Sequence, residues 1–273
     1  MSNSDLAAKA ESLLRLHHQP TPLVLCNVWD ATSARIVESA GYQAVATTSS
    51  GIANSLGYPD GQVVPTEMMM EAVGRITRVV NVPVTADLEA GYGDVAGTTN
   101  AALDAGAVGL NFEDYVGGAM VPFKEQVEGI RTIRRVGESR GVHIVINART
   151  DIYLQKVGAE ETRFEAAVER ALAYREAGAD CIFVPYAVDK DTIAALVKAI
   201  PLPLNILATK GCPSIAWLTE AGVRRVSVGG GAMRACMGLT KIVAESLLRD
   251  GTYECYTDVL MPASEANQLF ARR

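Results

Sequence analysis

A short motif that recurs four times limits the folds open to this chain more than any other feature. Each copy has an Ala-Gly pair after a helical pattern and leads into a strand-like run: S-A-G-Y-Q-A-V (39–45), D-A-G-A-V-G-L (104–110), E-A-G-A-D-C-I (176–182) and E-A-G-V-R-R-V (220–226). Glycine directly after a helix adopts the left-handed conformation at little cost and lets the chain turn into a strand. The motif therefore predicts four helix-to-strand joints, at Gly41, Gly106, Gly178 and Gly222.

Short β-branched runs alternate with amphipathic helical patterns along almost the whole chain. The predicted strands are 23–28, 44–49, 83–89, 108–113, 143–149, 181–185, 203–208 and 224–229. The predicted helices between and after them are 31–40, 66–80, 95–105, 124–139, 161–177, 190–199, 213–221 and 232–249. Repeated strand–helix units predict a parallel sheet, and eight of them in about 250 residues match an α/β fold of the (β/α)8 TIM barrel type. A doubly wound sheet is the alternative, but no G-x-G-x-x-G follows the first strand.

The two ends of the chain carry helical patterns outside the eight units. We expect an N-terminal capping helix at 5–17 to cover the bottom of the barrel. We expect an extra C-terminal helix within 252–273 to pack on a neighbouring subunit or across the outside of the barrel. No low-complexity linker interrupts the sequence, so we interpret 1–273 as a single domain.

Charge and cysteine usage narrow the class of protein. The 273 residues carry a net charge of −6 without a basic block, which argues against nucleic acid and anionic membranes as partners. Apolar runs are too short for a membrane span, and the N-terminal stretch lacks the features of a signal peptide. The five Cys form no C-x-x-C pair, so neither a disulfide framework nor a structural zinc site is expected. These features favour a cytoplasmic enzyme.

Acidic residues gather where the predicted strands end, which is the catalytic face of a TIM barrel. Asp87 and Glu89 end the third predicted strand, where they share one face if the strand stays regular, and Glu113 ends the fourth. Carboxylates crowded into one cavity need protons or a cation to offset their repulsion. Hard oxygen ligands without His or Cys suit Mg²⁺, and Mn²⁺ next. The alternative is that each acid lies at a solvated loop edge.

Two further features at the same face suit an anionic substrate. Arg149 closes the strand I-V-I-N-A-R, where a guanidinium can grip a carboxylate through two parallel hydrogen bonds. A structural ion pair of Arg149 with Glu113 or Asp151 is an equal and compatible interpretation. The segment T-T-S-S-G-I-A (47–53) places backbone N–H groups in a turn that can form a nest for an oxyanion.

Four stretches, in this order and at these strand ends, resemble the isocitrate lyase/phosphoenolpyruvate mutase superfamily. They are S-S-G-I-A-N-S-L-G-Y-P-D (49–60), D-L-E-A-G-Y-G (87–93), N-F-E-D (111–114) and N-A-R-T-D (147–151). The similarity extends from about residue 10 to residue 245. The resemblance implies a barrel that binds Mg²⁺ and a small 2-oxo acid, and that cleaves or forms C–C or P–C bonds through a metal-stabilised enolate.

The resemblance also assigns roles to residues of this chain. It implies that Asp87 is the nearest metal ligand, with Glu89 and Glu113 acting through bound waters. It implies that Ser49, Ser50 and Gly51 hold the substrate, that Arg149 grips its carboxylate or stabilises the leaving fragment, and that Asp60 is an acid behind the ligands. With Asn205, at the end of the seventh predicted strand, the predicted substrate-binding residues are Ser49, Ser50, Gly51, Asp60, Arg149 and Asn205. The predicted catalytic residues are Arg149, Glu113 and Ser49.

The superfamily further implies a homo-oligomer, a dimer or a tetramer, in which the last barrel helix is exchanged between subunits. Residues 232–249, with the tail to 273, are the segment of this chain that fits such an exchange.

The chain departs from the superfamily where its lyases carry Lys-(Lys/Arg)-Cys-Gly-His. Here the loop after the fourth strand reads Y-V-G-G-A-M-V-P-F-K (115–124), without Cys or His. A thiol acid/base is therefore missing, and we predict neither isocitrate nor 2-methylisocitrate cleavage. The aromatic residue that the mutases place before the Ser pair is Thr47 or Thr48 here, which also disfavours mutase activity.

The remaining features suit a reaction that needs only an electron sink. We predict decarboxylation of an oxaloacetate-like substrate, with Mg²⁺ stabilising the enolate and water protonating it. Two alternatives stay open: a P–C bond enzyme acting on phosphonopyruvate or phosphoenolpyruvate, as mutase or hydrolase, and a 2-oxo acid binding protein without turnover.

Overall fold

The computed structural model describes residues 2–271, and its main sheet is a nearly closed barrel of parallel strands. In chain order the strands are β1 Leu23–Leu25, β2 Asn27–Val28, β3 Val45–Thr47, β4 Val84–Asp87, β5 Gly109–Glu113, β6 Tyr115–Val116, β7 Ala119–Met120, β8 Val145–Arg149, β9 Cys181–Phe183, β10 Leu204–Leu207 and β11 Arg225–Ser227. The strand order around the barrel is β1-β11-β10-β9-β8-β5-β4-β3-β2. The predicted TIM-barrel architecture is confirmed.

Helices alternate with the barrel strands as the sequence pattern predicts. They are α1 Asn3–Leu16, α2 Ala31–Ser39, α3 Ser49–Ser55, α4 Thr66–Thr77, α5 Val95–Asp104, α6 Phe123–Arg140, α7 Arg163–Glu176, α8 Lys190–Ala199, α9 Ile215–Glu220, α10 Gly231–Arg249, α11 Glu254–Thr257 and α12 Ala263–Gln268. A 3-10 turn, Glu160–Thr162, precedes α7. Two elements were not predicted: α3, and the antiparallel hairpin β6–β7 in the loop after β5.

The barrel closes where the sequence predicted one continuous strand, 23–28. That strand is interrupted at Cys26, so that β1 pairs with β11 and β2 pairs with β3. Asn27 bridges the break: its Nδ2 donates to Thr47 O (2.8 Å), and its Oδ1 accepts from the backbone N–H groups of Val228 (3.0 Å) and Gly229 (2.9 Å). The Asn27 side-chain amide thus links β3, with which β2 pairs, to the residues that follow β11, with which β2 does not pair.

The four glycine joints behave as predicted. Gly41, Gly106, Gly178 and Gly222 have φ values of +92°, +94°, +107° and +93°, all in the left-handed region. Each follows an alanine that ends its helix, and a barrel strand begins within a few residues. The recurring motif therefore sets the return of the chain into the sheet at four barrel strands, β3, β5, β9 and β11.

The helix α1 closes the bottom of the barrel, as the prediction for 5–17 requires. Leu6, Ala10 and Leu13 are buried, and a Cβ on Gly109 of β5 would lie only 2.6 Å from Leu13 Cδ2. The absence of a side chain at Gly109 therefore makes room for the plug. Burying each such leucine contributes about 1.5–3 kcal/mol.

The C-terminal part of the chain lies outside the core. The predicted helix 232–249 is α10, in which no residue is buried, and the predicted helix within 252–273 is two short helices, α11 and α12. Residues 272–273 of that prediction lie outside the described residues. The Arg35 Nε donates to Leu269 O (2.8 Å), which fixes the tail against α2. Within residues 2–271, no helix has both the length and the apolar character needed to cross a bilayer.

Candidate active site

A cavity opens at the carboxyl ends of the barrel strands and has two lobes. The central lobe, of about 500 Å³, is lined by Thr48, Ser49, Ser50, Gly51, Asp60, Asp87, Asn111, Arg149, Tyr186, Thr209, Gly229, Gly230 and Arg234, among others. The acidic lobe, of about 380 Å³, is lined by Asp60, Glu89, Glu113, Tyr115, Arg149 and Asp151, among others. Ser49, Asp60 and Arg149 line both lobes, so the two lie side by side.

Asp87 ends β4 at the base of the central lobe and is held by three donors. Its Oδ2 accepts from the backbone N–H (3.1 Å) and the hydroxyl (2.9 Å) of Ser49, and its Oδ1 accepts from Asn111 Nδ2 (3.4 Å). Its own backbone N–H donates to Thr47 Oγ1 (2.8 Å). The side chain is 7% exposed, so its orientation is fixed by these contacts.

Glu89 does not share a strand face with Asp87, because β4 ends at Asp87. Glu89 has a φ of +49°, and it begins a turn in which Gly91, Tyr92 and Gly93 also have positive φ. A Cβ on Gly91 would lie 2.9 Å from Val95 Cγ2 and 3.2 Å from the ring of Phe112. The A-G-Y-G sequence therefore permits a strained turn that aims Glu89 into the acidic lobe.

The carboxyl group of Glu89 is buried and lies near other acids. The Tyr92 hydroxyl donates to its Oε1 (2.7 Å). Burial raises the pKa of Glu89 from 4.5 to about 7, against the lowering effect of Tyr92 and with the help of Asp87 and Asp60. Burial and the nearby Asp87 likewise raise the pKa of Asp60. The site therefore holds acids that bind protons, or another cation, more readily than free carboxylates.

Arg149 is held by two carboxylates at the end of β8. Its Nη1 lies 2.7 Å from Glu113 Oε2, while its Nε and Nη2 donate to the two oxygens of Asp151 (2.6 and 2.8 Å). Burial raises the pKa of Glu113 well above 4.5, although Arg149 acts in the opposite direction. The ion-pair interpretation of Arg149 is thus the arrangement present. The two carboxylates use three of its five N–H donors, which leaves one N–H on each of Nη1 and Nη2.

A buried carboxylate, Asp114, positions the Arg149–Asp151 ion pair without contacting Arg149 itself. Asp114 is fully buried and accepts from the Tyr174 hydroxyl (2.7 Å), from Arg170 Nη1 (3.1 Å) and from the backbone N–H of Asp151 (2.8 Å). The Asp151 carboxylate holds Arg149, and Asp114 fixes the backbone of Asp151. Asp114 therefore helps to position the ion pair between Arg149 and Asp151.

The Ser49–Gly51 segment is the first turn of α3 rather than an isolated turn. Its preceding residue, Thr48, forms no side-chain cap, and its hydroxyl lies 3.0 Å from Ser50 Oγ. A Cβ on Gly51 would lie 2.6 Å from Thr48 Cγ2, so only glycine fits. The predicted oxyanion nest is therefore a helix N-terminus whose Ser49 donors already bind Asp87, which leaves the next residues to face the cavity.

The structure separates the predicted residues into three groups. Ser49, Ser50, Gly51, Asp60, Asp87 and Arg149 line the central lobe, and Glu89 and Glu113 line the acidic lobe. Asn205 is fully buried inside the barrel, accepts from Ser227 Oγ (3.3 Å) and does not line the cavity, because its position on β10 lies two residues before the strand end. Its role in substrate binding stays a prediction.

Sequence reasoning did not assign roles to Asn111, Tyr92 and Arg234, all of which contact or line the site. Asn111 precedes Glu113 by two residues on β5, so the alternation of the strand was a usable signal for it. Tyr92 and Arg234 gave no such signal, because a turn and the first turn of a helix place them.

The acids do not form a ready-made three-ligand cluster. Within the part of the chain that the structure describes, no three His, Cys, Asp or Glu side chains are close enough together to hold one ion. Direct coordination by all of Asp87, Glu89 and Glu113 is therefore absent from this arrangement.

Comparison with known proteins agrees with this architecture. The family model described as phosphoenolpyruvate phosphomutase matches residues 13–248. The chain is 30% identical to 2-methylisocitrate lyase of Escherichia coli K12 over 262 residues (89% of this chain and 86% of that protein). It is 32% identical to oxaloacetate decarboxylase of Pseudomonas fluorescens SBW25 over 235 residues (81% and 78%). A crystal structure of a provisionally named lyase/mutase from Burkholderia cenocepacia J2315 superposes with a TM-score of 0.90 at 33% identity, covering 98% of both chains.

The barrel with acids at its strand ends thus defines a class of carbon–carbon lyases and mutases. This chain belongs to the phosphoenolpyruvate mutase/isocitrate lyase superfamily.

Proposed function

We propose that this protein is a Mg²⁺-dependent enzyme that cleaves a C–C bond of a small 2-oxo acid, with decarboxylation of an oxaloacetate-like substrate as the leading reaction. The observation that carries the proposal is the composition of the cavity. Buried acids from β4, β5 and the loops beside them line it, and its described lining residues include neither Cys nor His. A cavity lined by these acids suits the stabilisation of an enolate by a bound cation, and it offers no thiol as an acid or base.

The donor set fits a hard divalent cation. Asp60, Asp87, Glu89 and Glu113 offer only oxygen atoms. The raised pKa values of Glu89 and Glu113 reflect negative charge that is costly where these side chains are buried. Mg²⁺ is commonly held by one or two carboxylates and several waters, which agrees with the absence of a three-acid cluster. We propose Asp87 as the direct ligand and Glu89 and Glu113 as acids that bond to its waters; Mn²⁺ is the second choice. The bound ion would supply an electron sink for the enolate.

The other residues bind and orient the substrate. Ser50 and Gly51, at the start of α3, line the central lobe, and we assign their backbone N–H groups as donors to a carboxylate or enolate oxygen. Ser49 acts by fixing the Asp87 carboxylate. Arg149, between Glu113 and Asp151, limits the repulsion among the acids and keeps Glu113 in place.

Two observations support the proposed substrate class: the name of a relative and the absence of a cysteine from the loop after β5. A protein 32% identical to this chain is named oxaloacetate decarboxylase. The hairpin β6–β7, which contributes Tyr115 and Val116 to the acidic lobe, occupies the loop where a lyase of this superfamily would carry its Cys. We therefore propose that the protein is not a 2-methylisocitrate lyase, although a lyase of that name is a relative.

The test is pyruvate release from oxaloacetate with Mg²⁺, measured against Mg²⁺ alone. We expect a rate well above the metal background, abolished by EDTA and reduced at least about 100-fold in Asp87→Ala. Glu71→Gln, an exposed change on α4, is the control and should retain the rate. Equal rates with and without protein would refute the decarboxylase. If oxalate still bound tightly in that case, the chain would be a 2-oxo acid binding protein.

A further inference from the structure

One arginine inside the barrel is buried without an acid in contact with it. Arg225 is 1% exposed and pairs in register with Asn205 of β10, so both side chains lie on the inner face of the barrel. It forms no ion pair with any acid of the described residues 2–271. Four other arginines whose side chains are at most 16% exposed do form ion pairs: Arg35, Arg134, Arg149 and Arg170.

Two neutral acceptors hold the Arg225 guanidinium. Its Nη1 donates to His17 Nε2 (3.3 Å), and its Nη2 donates to Asn111 Oδ1 (3.2 Å). His17 Nδ1 lies 2.8 Å from Leu13 O, and because a carbonyl oxygen only accepts, Nδ1 carries the proton and Nε2 is the acceptor. Burial and the charge of Arg225 lower the pKa of His17 to about 3, so the imidazole is neutral. Neither contact offsets the positive charge with a negative one.

Asn111 connects Arg225 to Asp87, the proposed metal ligand. The Asn111 Oδ1 accepts from Arg225 Nη2 and from Asn147 Nδ2 (2.8 Å), so its Nδ2 faces Asp87 Oδ1 (3.4 Å). One amide group therefore separates the guanidinium from the Asp87 carboxylate. Because Asn147 also holds the Asn111 Oδ1, the amide keeps its orientation when a neutral residue replaces Arg225.

The Asp87 carboxylate is the counter-charge that remains for Arg225. Burial lowers the pKa of Arg225, and Cys181 and Asp87 act in the opposite direction. Burial also raises the pKa of the Cys181 thiol to about 12, so this thiol carries no charge near neutral pH. Of these two neighbours, only Asp87 can therefore balance the guanidinium.

The same positive charge opposes a cation bound at Asp87. Two positive charges near one buried carboxylate repel each other more strongly than they would in water, because the effective dielectric constant is lower. Arg149, the other buried cation whose charge reaches Asp87, is already offset by Glu113 and Asp151. Arg225 therefore acts on a bound cation without an acid of its own.

We propose that Arg225 is the buried counter-charge of Asp87, which stabilises this carboxylate when no cation is bound and weakens the binding of a divalent cation there. The inference rests on the proposed function for Asp87 as a metal ligand, and it adds a group that sets the affinity of the site. A purely structural role predicts the reverse effect, since disorder around Asn111 would loosen Asp87 and weaken the cation.

Calorimetric titration with Mn²⁺, without substrate, measures the effect of this charge. Arg225→Gln removes the charge and keeps an amide that can donate a hydrogen bond, so we expect it to bind Mn²⁺ at least about tenfold more tightly than the wild type. Arg225→Met is a second neutral variant, because replacing a buried ion with an apolar side chain is often neutral for stability. It should tighten Mn²⁺ binding in the same direction, and thermal melts establish that each variant is folded.

Arg224→Gln is the matched control. It removes the same charge from the adjacent residue, whose Nη1 donates to Pro20 O (2.8 Å) instead of to the barrel interior. Its Mn²⁺ affinity should stay within about twofold of the wild type.

The role of Arg225 is refuted if its folded neutral variants bind Mn²⁺ no more tightly than the wild type, if Arg224→Gln tightens binding equally, or if none of these proteins binds Mn²⁺ at millimolar concentration. Tighter binding by the neutral Arg225 variants, without pyruvate release from oxaloacetate by the wild type, would support the counter-charge and refute the decarboxylase. Pyruvate release by the wild type, with equal Mn²⁺ affinities in all variants, would do the reverse.

Discussion

At the scale of single residues, Glu89 couples the candidate site to stability. Its pKa rises from 4.5 in the unfolded chain to about 7 in the folded protein, so the folded state binds the proton more tightly. Stability contributed by this group is therefore present below pH 4.5 and is lost as the pH rises towards 7. The physical cause of this loss is that the ionised Glu89 carboxylate is buried beside Asp87 and Asp60.

The variant Glu89→Gln should remove this pH dependence in metal-free protein. In EDTA, we expect its free energy of unfolding to match that of the wild type at pH 4 and to exceed it by about 3 kcal/mol at pH 8. Urea unfolding at the two pH values measures the difference. Glu71→Gln, on an exposed part of α4, should change stability little at either pH. An equal effect of Glu89→Gln at both pH values would contradict the prediction.

Tyr174 stabilises the acid that supports Arg149 from behind. Its buried hydroxyl donates to Asp114 at 2.7 Å and receives a hydrogen bond from Arg170 at 3.0 Å. Tyr174→Phe should lower the free energy of unfolding by about 1–3 kcal/mol, because a buried carboxylate loses a donor. The hydroxyl of Tyr153 has no hydrogen-bond partner among the described residues, so Tyr153→Phe is the matched control and should cost less than about 0.5 kcal/mol. Similar losses in both variants would show that the Asp114 contact is not the cause.

At the scale of elements, the helix-to-strand joint at Gly41 depends on backbone conformation rather than on space. A Cβ at Gly41 would meet no atom within 4 Å, but its φ is +92°. Gly41→Ala should therefore destabilise the protein by about 1–2 kcal/mol through the left-handed conformation alone. Gly238 on α10 has equally open surroundings and lies inside a helix, so Gly238→Ala should stabilise by about 0.5–1 kcal/mol. Chemical denaturation compares the two, and a neutral Gly41→Ala would contradict the role given to the motif.

At the scale of the whole molecule, the apolar surface is concentrated in the C-terminal segment. Of the 15 large apolar side chains that are exposed within residues 2–271, 10 lie between Met237 and Phe270. A surface of this kind is typical of a protein–protein contact. We propose a homo-oligomer, a dimer or a tetramer, in which the segment from 232 onwards packs on or exchanges with a second copy of the chain.

Sedimentation should therefore show a species larger than one chain. Replacing Leu239 and Ile242 together by Asp, on one face of α10, should shift it towards the monomer, because charge at a buried interface is costly. Ile215→Asp, an equally exposed position at the start of α9, should leave the assembly unchanged. A monomeric wild-type protein would refute the proposed contact.

The features that the sequence determined are those that depend on neighbouring residues. The glycine joints, the order of strands and helices, and the acids at the ends of β4 and β5 all follow from local conformation and from the rule that parallel strands end at one face. The superfamily followed from motifs placed at those ends. The break at Cys26 was missed because β1 and β2 pair with different strands that are distant in sequence. The hairpin β6–β7 was missed although its pairing is local, with Gly117 and Gly118 at its turn.

The tertiary structure alone decided which charges are engaged and which are free. Ser49 binds Asp87 across 38 positions of sequence, and Tyr174 binds Asp114 across 60. Two acids occupy Arg149, which the sequence equally allowed as a free clamp, while Arg234 lines the cavity without a partner among the described residues. The sequence shows which groups can donate a hydrogen bond, accept one or carry charge. Each donor is satisfied by the acceptor that folding brings within hydrogen-bond distance, about 3 Å. Only the fold therefore determines which donors remain for a substrate.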